Sequence, residues 1–261
     1  LTILLYLGLG AVAGTIAGLF GLGGGIIIVP VLVFTFSWQG FSPEHLTHLA
    51  IATSMATIII TATSSTLTHH KLGAIHWPVV ARMSIGIVGG TFIGAMLADS
   101  ISGENLKRLF ALFAYLVALQ MFFSLKPKAT NPLPKGFALS GIGAVIGAIS
   151  AIFGIGGGSL SVPYLTSRSV PMRNAVALSA ALGLPLAISG TFGYIVSGFH
   201  ENELPPYSLG YVYLPAWLGI VLTSAVFAKI GARLAHRLPP VLMKRLFSVF
   251  LFIVGSKFLF G

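Results

Sequence analysis

The sequence predicts an all-α integral membrane protein built from two inverted-topology repeats. Each repeat is expected to hold one Gly-broken helix, re-entrant and hairpin-like, plus three long transmembrane helices. Three observations predict this: a composition that only a bilayer can solvate, apolar stretches of spanning length, and an internal duplication whose matching loops carry opposite charge signatures.

Charged residues are 8% of the chain, against about 25% in a typical soluble domain. Hydrophobic residues are 56% and the mean hydropathy is +0.96. A soluble fold of this make-up could not cover its surface with polar atoms. A span needs roughly 20 apolar residues to cross a hydrocarbon core about 30 Å thick. Stretches at about 1–20, 46–67, 78–98, 106–125, 136–153, 172–197, 210–230 and 240–260 meet that length. Those at about 26–36 and 159–166 follow glycine clusters and are too short to cross alone. The 32 glycines would weaken a soluble helical protein, but in a membrane they let helices pack closely. Gly10, Gly14 and Gly18, and again Gly86, Gly90 and Gly94, recur every four residues and give smooth helix faces. The second of these faces would suit either a homodimer or an internal helix contact.

The duplication is visible by eye. Gly14 to Leu32, containing Phe20-Gly21-Leu-Gly23-Gly24-Gly25 and then Pro30, matches Gly147 to Leu165 at an offset of 133. The second copy reads Phe153-Gly154-Ile-Gly156-Gly157-Gly158 and then Pro163. Ala50-Ile-Ala-Thr53-Ser54 parallels Ala175-Val-Ala-Leu178-Ser179, and Lys107-Arg108-Leu-Phe110 parallels Lys244-Arg245-Leu-Phe247. Repeat 1 is therefore 1–125 and repeat 2 is 136–261, joined by a Pro-containing linker at 126–135. The first apolar stretch has its counterpart mid-chain at 136–153, so both are read as structure rather than as a cleaved leader.

Orientation follows from the loops. The 37–45 loop lacks Lys and Arg and has Glu44, whereas its counterpart at 167–173 has Arg168 and Arg173. The 68–77 loop has Lys71 and three histidines, whereas its counterpart at 199–209 has Glu201 and Glu203 and no Lys or Arg. By the positive-inside rule the halves face opposite ways, with the linker, 68–77, 167–173 and 231–245 cytoplasmic. Inversion requires an odd number of crossings per half, which three spans and a returning hairpin supply. Four full spans per half would give parallel halves instead.

Matching breaks in inverted repeats are a recurrent carrier design, with the substrate near the midplane. Helices are expected to restart near Gly25 and Gly158. Their first amides lack intrahelical partners and sit at the positive end of the helix dipole, a site suited to an anion. The candidate ligands are Gly23, Gly24, Gly25, Gly156, Gly157, Gly158 and Ser159, with Thr53, Ser54, Asn174 and Ser179 from the next helix of each half. Arg173 is the candidate fixed charge, and its repeat counterpart His48 is the candidate for proton coupling. Thr53, Ser54 and Ser179 would equally serve as interhelical hydrogen-bond donors, and Arg173 as a membrane-surface anchor. All five acidic residues fall in loops or at span ends, which favours an anion over a cation as cargo.

Other classes are disfavoured. The net charge of +10 sits in short loops rather than in a separate basic domain, so nucleic acid is not the expected partner. The Gly runs lack a following Lys-Ser/Thr and do not follow a strand, which excludes nucleotide-binding loops. No cofactor or metal is expected, and the His69-His70-Lys71 run reads as a solvated loop. An intramembrane enzyme would need a polar constellation inside the spans, and a scaffold would gain nothing from paired breaks. The expected partners are a small anionic substrate and the lipid bilayer.

The paired segments Gly18–Leu32 and Ala151–Leu165, the Ala50–Ser54 block and His70-Lys71-Leu-Gly73-Ala-Ile-His-Trp77 resemble the sulfite exporter TauE/SafE family of membrane transporters over nearly the whole chain. The resemblance implies a multi-pass protein of a bacterial cytoplasmic (inner) membrane. It implies movement of sulfite, sulfoacetate or a related organosulfonate, with export the usual assignment and import the alternative. Leu178 stands where Thr53 stands in the first half, so the two half-sites need not be equivalent.

Overall fold

The computed structural model describes residues 2–20, 24–123, 132–134, 136–201, 203–235 and 240–260. Gly21 to Gly23 of the first cluster, most of the expected linker and 236–239 lie outside the described residues. The described helices are α1 (Thr2–Phe20), α2 (Gly25–Trp38), α3 (Pro43–Lys71), α4 (Trp77–Asp99), α5 (Gly103–Phe122), α6 (Phe137–Phe153), α7 (Gly158–Ser167), α8 (Met172–Ser197), α9 (Leu214–Ala235) and α10 (Pro240–Phe260). Four described segments are long and apolar enough to cross a membrane: Pro43–Lys71, Trp77–Asp99, Gly103–Phe122 and Met172–His200. At about 1.5 Å per residue, the 10-residue α7 reaches only about half the depth of a bilayer core.

The fold is all-α as expected, with one small addition: β1 (Ser208–Leu209) and β2 (Val212–Tyr213) form a short antiparallel hairpin. Gly210 supplies its turn with φ of +52° and packs beneath Ile195, where a Cβ would meet that residue's backbone. Tyr211, Val212 and Tyr213 then turn inward and are buried. The apolar run from 210 therefore enters the membrane helix only at Leu214.

Packing fixes the helix directions. Thr66 donates to Ala180 O at 3.1 Å, while Gly183 meets Ala62 and Gly190 meets Met55, so the counterpart helices α3 and α8 run antiparallel. The counterparts α5 and α10 do the same: Phe110 packs on Phe258, and Tyr115 contacts both Phe252 and Ser256. Gly10 and Gly14 rest on Ile220 and Ser224, so α1 runs parallel to α9. Gly86, Gly90 and Gly94 rest on Ser140, Ala144 and Ala148, so α4 runs parallel to α6. That glycine face is consumed inside the fold and is not left for a second copy.

The breaks turn back on themselves. Tyr6, early in α1, donates to Gln39 just beyond α2 at 2.8 Å, so α1 and α2 lie antiparallel. Ser189 donates to Val88 O and Phe92 stacks on Phe192, so α4 also runs parallel to α8. Since α6 is parallel to α4, it is parallel to α8 as well. The short α7 starts beside Ser179 and Gly183, partway along α8, and ends four residues before α8 begins. It therefore descends against both neighbours.

Candidate functional site

Two different constraints hold the breaks. Gly24 caps α2 with φ of +83°, in the left-handed region that an L side chain enters only with strain. Its counterpart Gly157 has ordinary helical dihedrals of −53° and −23°. Space rather than backbone conformation favours glycine there, because a Cβ would lie a tight 3.1 Å from Ser179 O and 3.5 Å from Gly183 N. Gly154 ends α6 with φ of +62°. The two breaks meet: a Cβ on Gly25 would lie 2.6 Å from Gly154 O, and Ser54 donates to that same oxygen at 3.0 Å.

A cavity of about 80 Å³ opens at the second break. By the same measure one water needs roughly 10–15 Å³, so a small oxyanion fits. Three elements line it: Gly156, Gly157, Gly158 and Val162 at the head of α7; Val176, Ser179, Ala180 and Gly183 on α8; Ile58, Thr61, Ala62 and Ser65 on α3. The first intrahelical bond into α7 is Ser161 N–H to Gly157 O at 2.8 Å. The amides of Gly158, Ser159 and Leu160 precede it and lack an intrahelical partner, and Gly158 lies in the cavity wall. Ser179 is only 2% exposed, and its Oγ has no hydrogen-bond partner among the described residues. A buried hydroxyl left unpaired costs about 1–3 kcal/mol, which an anion in the cavity would relieve. Among the described residues, no carboxylate lines the cavity.

The other expected site residues have separate placements. Gly23 lies outside the described residues. Gly24 and Gly25 are buried at the first break, and Gly25 packs against Gly154 and Ile155. Thr53 accepts from Tyr213 N–H at 3.0 Å and so seats the hairpin. Ser159 lies on the first turn of α7 with its Oγ buried and unpartnered. Asn174 donates to Ala74 O at 3.3 Å, tying α8 to the turn after α3. Arg173 is exposed on the first turn of α8 and is not part of the cavity wall. It stands at the cavity's basic end, with Lys71 at the close of α3 and with Arg168, which lies over the Tyr164 ring. His48 lies toward the opposite end, stacked on Tyr211, with Nε2 3.0 Å from Ala98 O and Nδ1 buried with no hydrogen-bond partner among the described residues.

Thr61 and Ser65 were not foreseen. They continue from Ser54 at helical spacing through Ile58, and that stripe is the signal that would have found them. At the opposite end, Tyr211 donates to Asp99 at 2.8 Å. Burial first, and then that carboxylate, push its phenol pKa up, so it remains a donor at physiological pH.

Residues 6–258 match the family described as "Sulfite exporter TauE/SafE". A probable membrane transporter protein of Haemophilus influenzae is 40% identical, covering 97% of this chain and 96% of its own length. A probable membrane transporter protein of Methanocaldococcus jannaschii is 30% identical over 94% of this chain and 91% of its own. One from Bacillus subtilis is 29% identical over 97% and 95% respectively. No solved structure matches.

Proposed function

The chain belongs to the TauE/SafE family of membrane transporters, and from that premise we propose that it exports a small sulfur-containing anion by alternating access around its two helix breaks. Sulfite, sulfoacetate or a related organosulfonate is the proposed cargo, and a bacterial cytoplasmic membrane the proposed location. The observation that carries the reading is the cavity at the head of α7, where helix-start amides and the unpaired Ser179 hydroxyl converge with no described carboxylate in the wall. That set recognises an oxyanion through hydrogen bonds and the helix dipole alone. The small volume suits sulfite, or the sulfonate head of a longer anion whose tail points to the mouth.

Inverted topology is part of the proposal. The antiparallel pairing of α3 with α8 and of α5 with α10 supports it, because counterpart helices related that way share a two-fold axis lying across them. The returning α1–α2 and α6–α7 pairs leave three crossings per half. Arg173 would draw anions to the inner mouth, and His48, its counterpart near the outer end, is assigned to proton coupling.

Proteoliposomes test this directly. Flux of sulfite and sulfoacetate is measured with and without a pH gradient, with Gly157→Leu as the control. Saturable flux lost in the variant is expected, since the leucine fills the cavity from α7. Flux of neither anion from folded protein, or flux unaffected by Gly157→Leu, would refute the assignment.

A further inference from the structure

The end of the molecule opposite the cavity carries a cluster that transport leaves unused. Glu44 and His45 open α3, while Glu201 and Glu203 lie on the segment between α8 and α9. One carboxylate oxygen each from Glu44 and Glu203 and one ring nitrogen of His45 lie within 4.8 Å of one another. Both glutamates are exposed, but His45 is 8% exposed and its ring makes no hydrogen bond among the described residues. Its Nε2 stands 3.7 Å from Glu201 Oε2, beyond hydrogen-bond length. The buried imidazole faces three carboxylates and is ion-paired with Glu201 only when protonated; in its neutral form it offers the cluster a ring nitrogen for a cation.

Two features favour an ion over loose surface charge. The elements that bring the donors together are already fixed relative to one another, by Tyr211 to Asp99 and by Tyr213 N–H to Thr53, so little must be ordered on binding. The donor types also select the ion. One imidazole nitrogen with carboxylates suits zinc, whereas calcium and magnesium take oxygen donors in larger shells. Tetrahedral zinc with bonds near 2.1 Å sets donors about 3.4 Å apart, a closure that two exposed glutamate side chains reach by rotation.

We propose that Glu44, His45 and Glu203 bind one divalent transition-metal ion of the zinc class, with Glu201 in reach as a fourth ligand, and that the ion staples the 203–213 segment to the start of α3. The stapled segment includes β2, whose Tyr213 is held by Thr53, so the bound ion restrains the hairpin against α3.

Zinc chloride titrated calorimetrically into the full chain in detergent tests this, with His69, His70 and His76 replaced by Gln to silence the histidines at the other end. One ion per chain at micromolar affinity is expected, unaffected by excess magnesium or by His200→Gln. Glu203→Gln and Glu44→Gln should each weaken binding at least tenfold, and His45→Gln should abolish it. Hydrogen exchange across 208–213 should slow when zinc is added. Absence of binding, or binding that survives both Glu203→Gln and Glu44→Gln, overturns the site. Those two side chains are exposed, so their variants decide the matter even if His45→Gln fails to fold. Binding without slowed exchange overturns the staple.

Discussion

Replacing Ser179 and Ser54 separately should produce opposite phenotypes, although the two residues are repeat counterparts. Ser179 Oγ is buried at the cavity wall with no partner, whereas Ser54 Oγ donates to Gly154 O at 3.0 Å. Ser179→Ala removes an unpaired hydroxyl, so folding stability should stay level or rise slightly. If that hydroxyl meets an oxyanion, its loss removes a hydrogen bond to a charged group, about 1.5–3 kcal/mol. That is a roughly 10- to 150-fold weaker Kd. Ser54→Ala should instead orphan a buried carbonyl at the junction of the two breaks, costing about 1–3 kcal/mol of stability. Calorimetric sulfite titration and thermal unfolding, both in detergent, read the two quantities side by side. Ser179→Ala with unchanged sulfite affinity and a lowered melting temperature would refute the reasoning.

Arg173→Ala should raise the KM for anion flux about two- to threefold at low salt, the size of a charge interaction across roughly 8 Å of water. The effect should fade at physiological ionic strength, where the Debye length is about 8 Å; an effect that persists at high salt would put Arg173 in direct contact with the anion. Gly24→Ala should cost about 1–2 kcal/mol from its φ of +83°, read as a lower melting temperature. A topology-reporter scan should place 68–77 and 231–245 on the side of the linker and 199–209 on the other; 68–77 opposite 231–245 would defeat the inverted arrangement.

Helix positions were legible in the sequence because the bilayer imposes length and apolarity on each span, and because duplication exposes matching breaks. The restarts at Gly25 and Gly158 followed from those glycine runs. The hairpin at 208–213 was not legible. Tyr211, Val212 and Tyr213 are apolar enough to pass as the start of a span, and only the positive φ of Gly210 turns them inward. The candidate cavity includes Gly156, Gly157, Gly158 and Ser179, which the repeated pattern singles out in the sequence. The placement of Thr53 was not legible, because an identical block in sequence carries no record of which backbone amide its hydroxyl will meet. Arg173 stands one turn before Val176, the first α8 residue in the cavity wall, so the candidate fixed charge lies outside that wall.

The one-sided cavity follows from substitutions between the repeats. The repeat counterparts of Ala180, Gly183 and Thr61 are Met55, Ile58 and Leu186, all buried. Ile58 reaches toward the head of α2, 3.0 Å from where a Gly25 Cβ would lie, and occupies the volume that Gly183 leaves open in the other half. Ser54, counterpart of the open Ser179, is already spent on Gly154 O. In a carrier with inverted repeats, the halves exchange conformations when access alternates. On the proposed inverted arrangement that exchange would not be exact, because bulky side chains on one side would move where none exist on the other. The two end states would then differ in energy and in anion affinity, with the half-site at the head of α7 the stronger. A carrier whose better site faces the compartment it empties loads efficiently at low internal concentration, so the proposed export direction predicts that the α7 half-site faces inward.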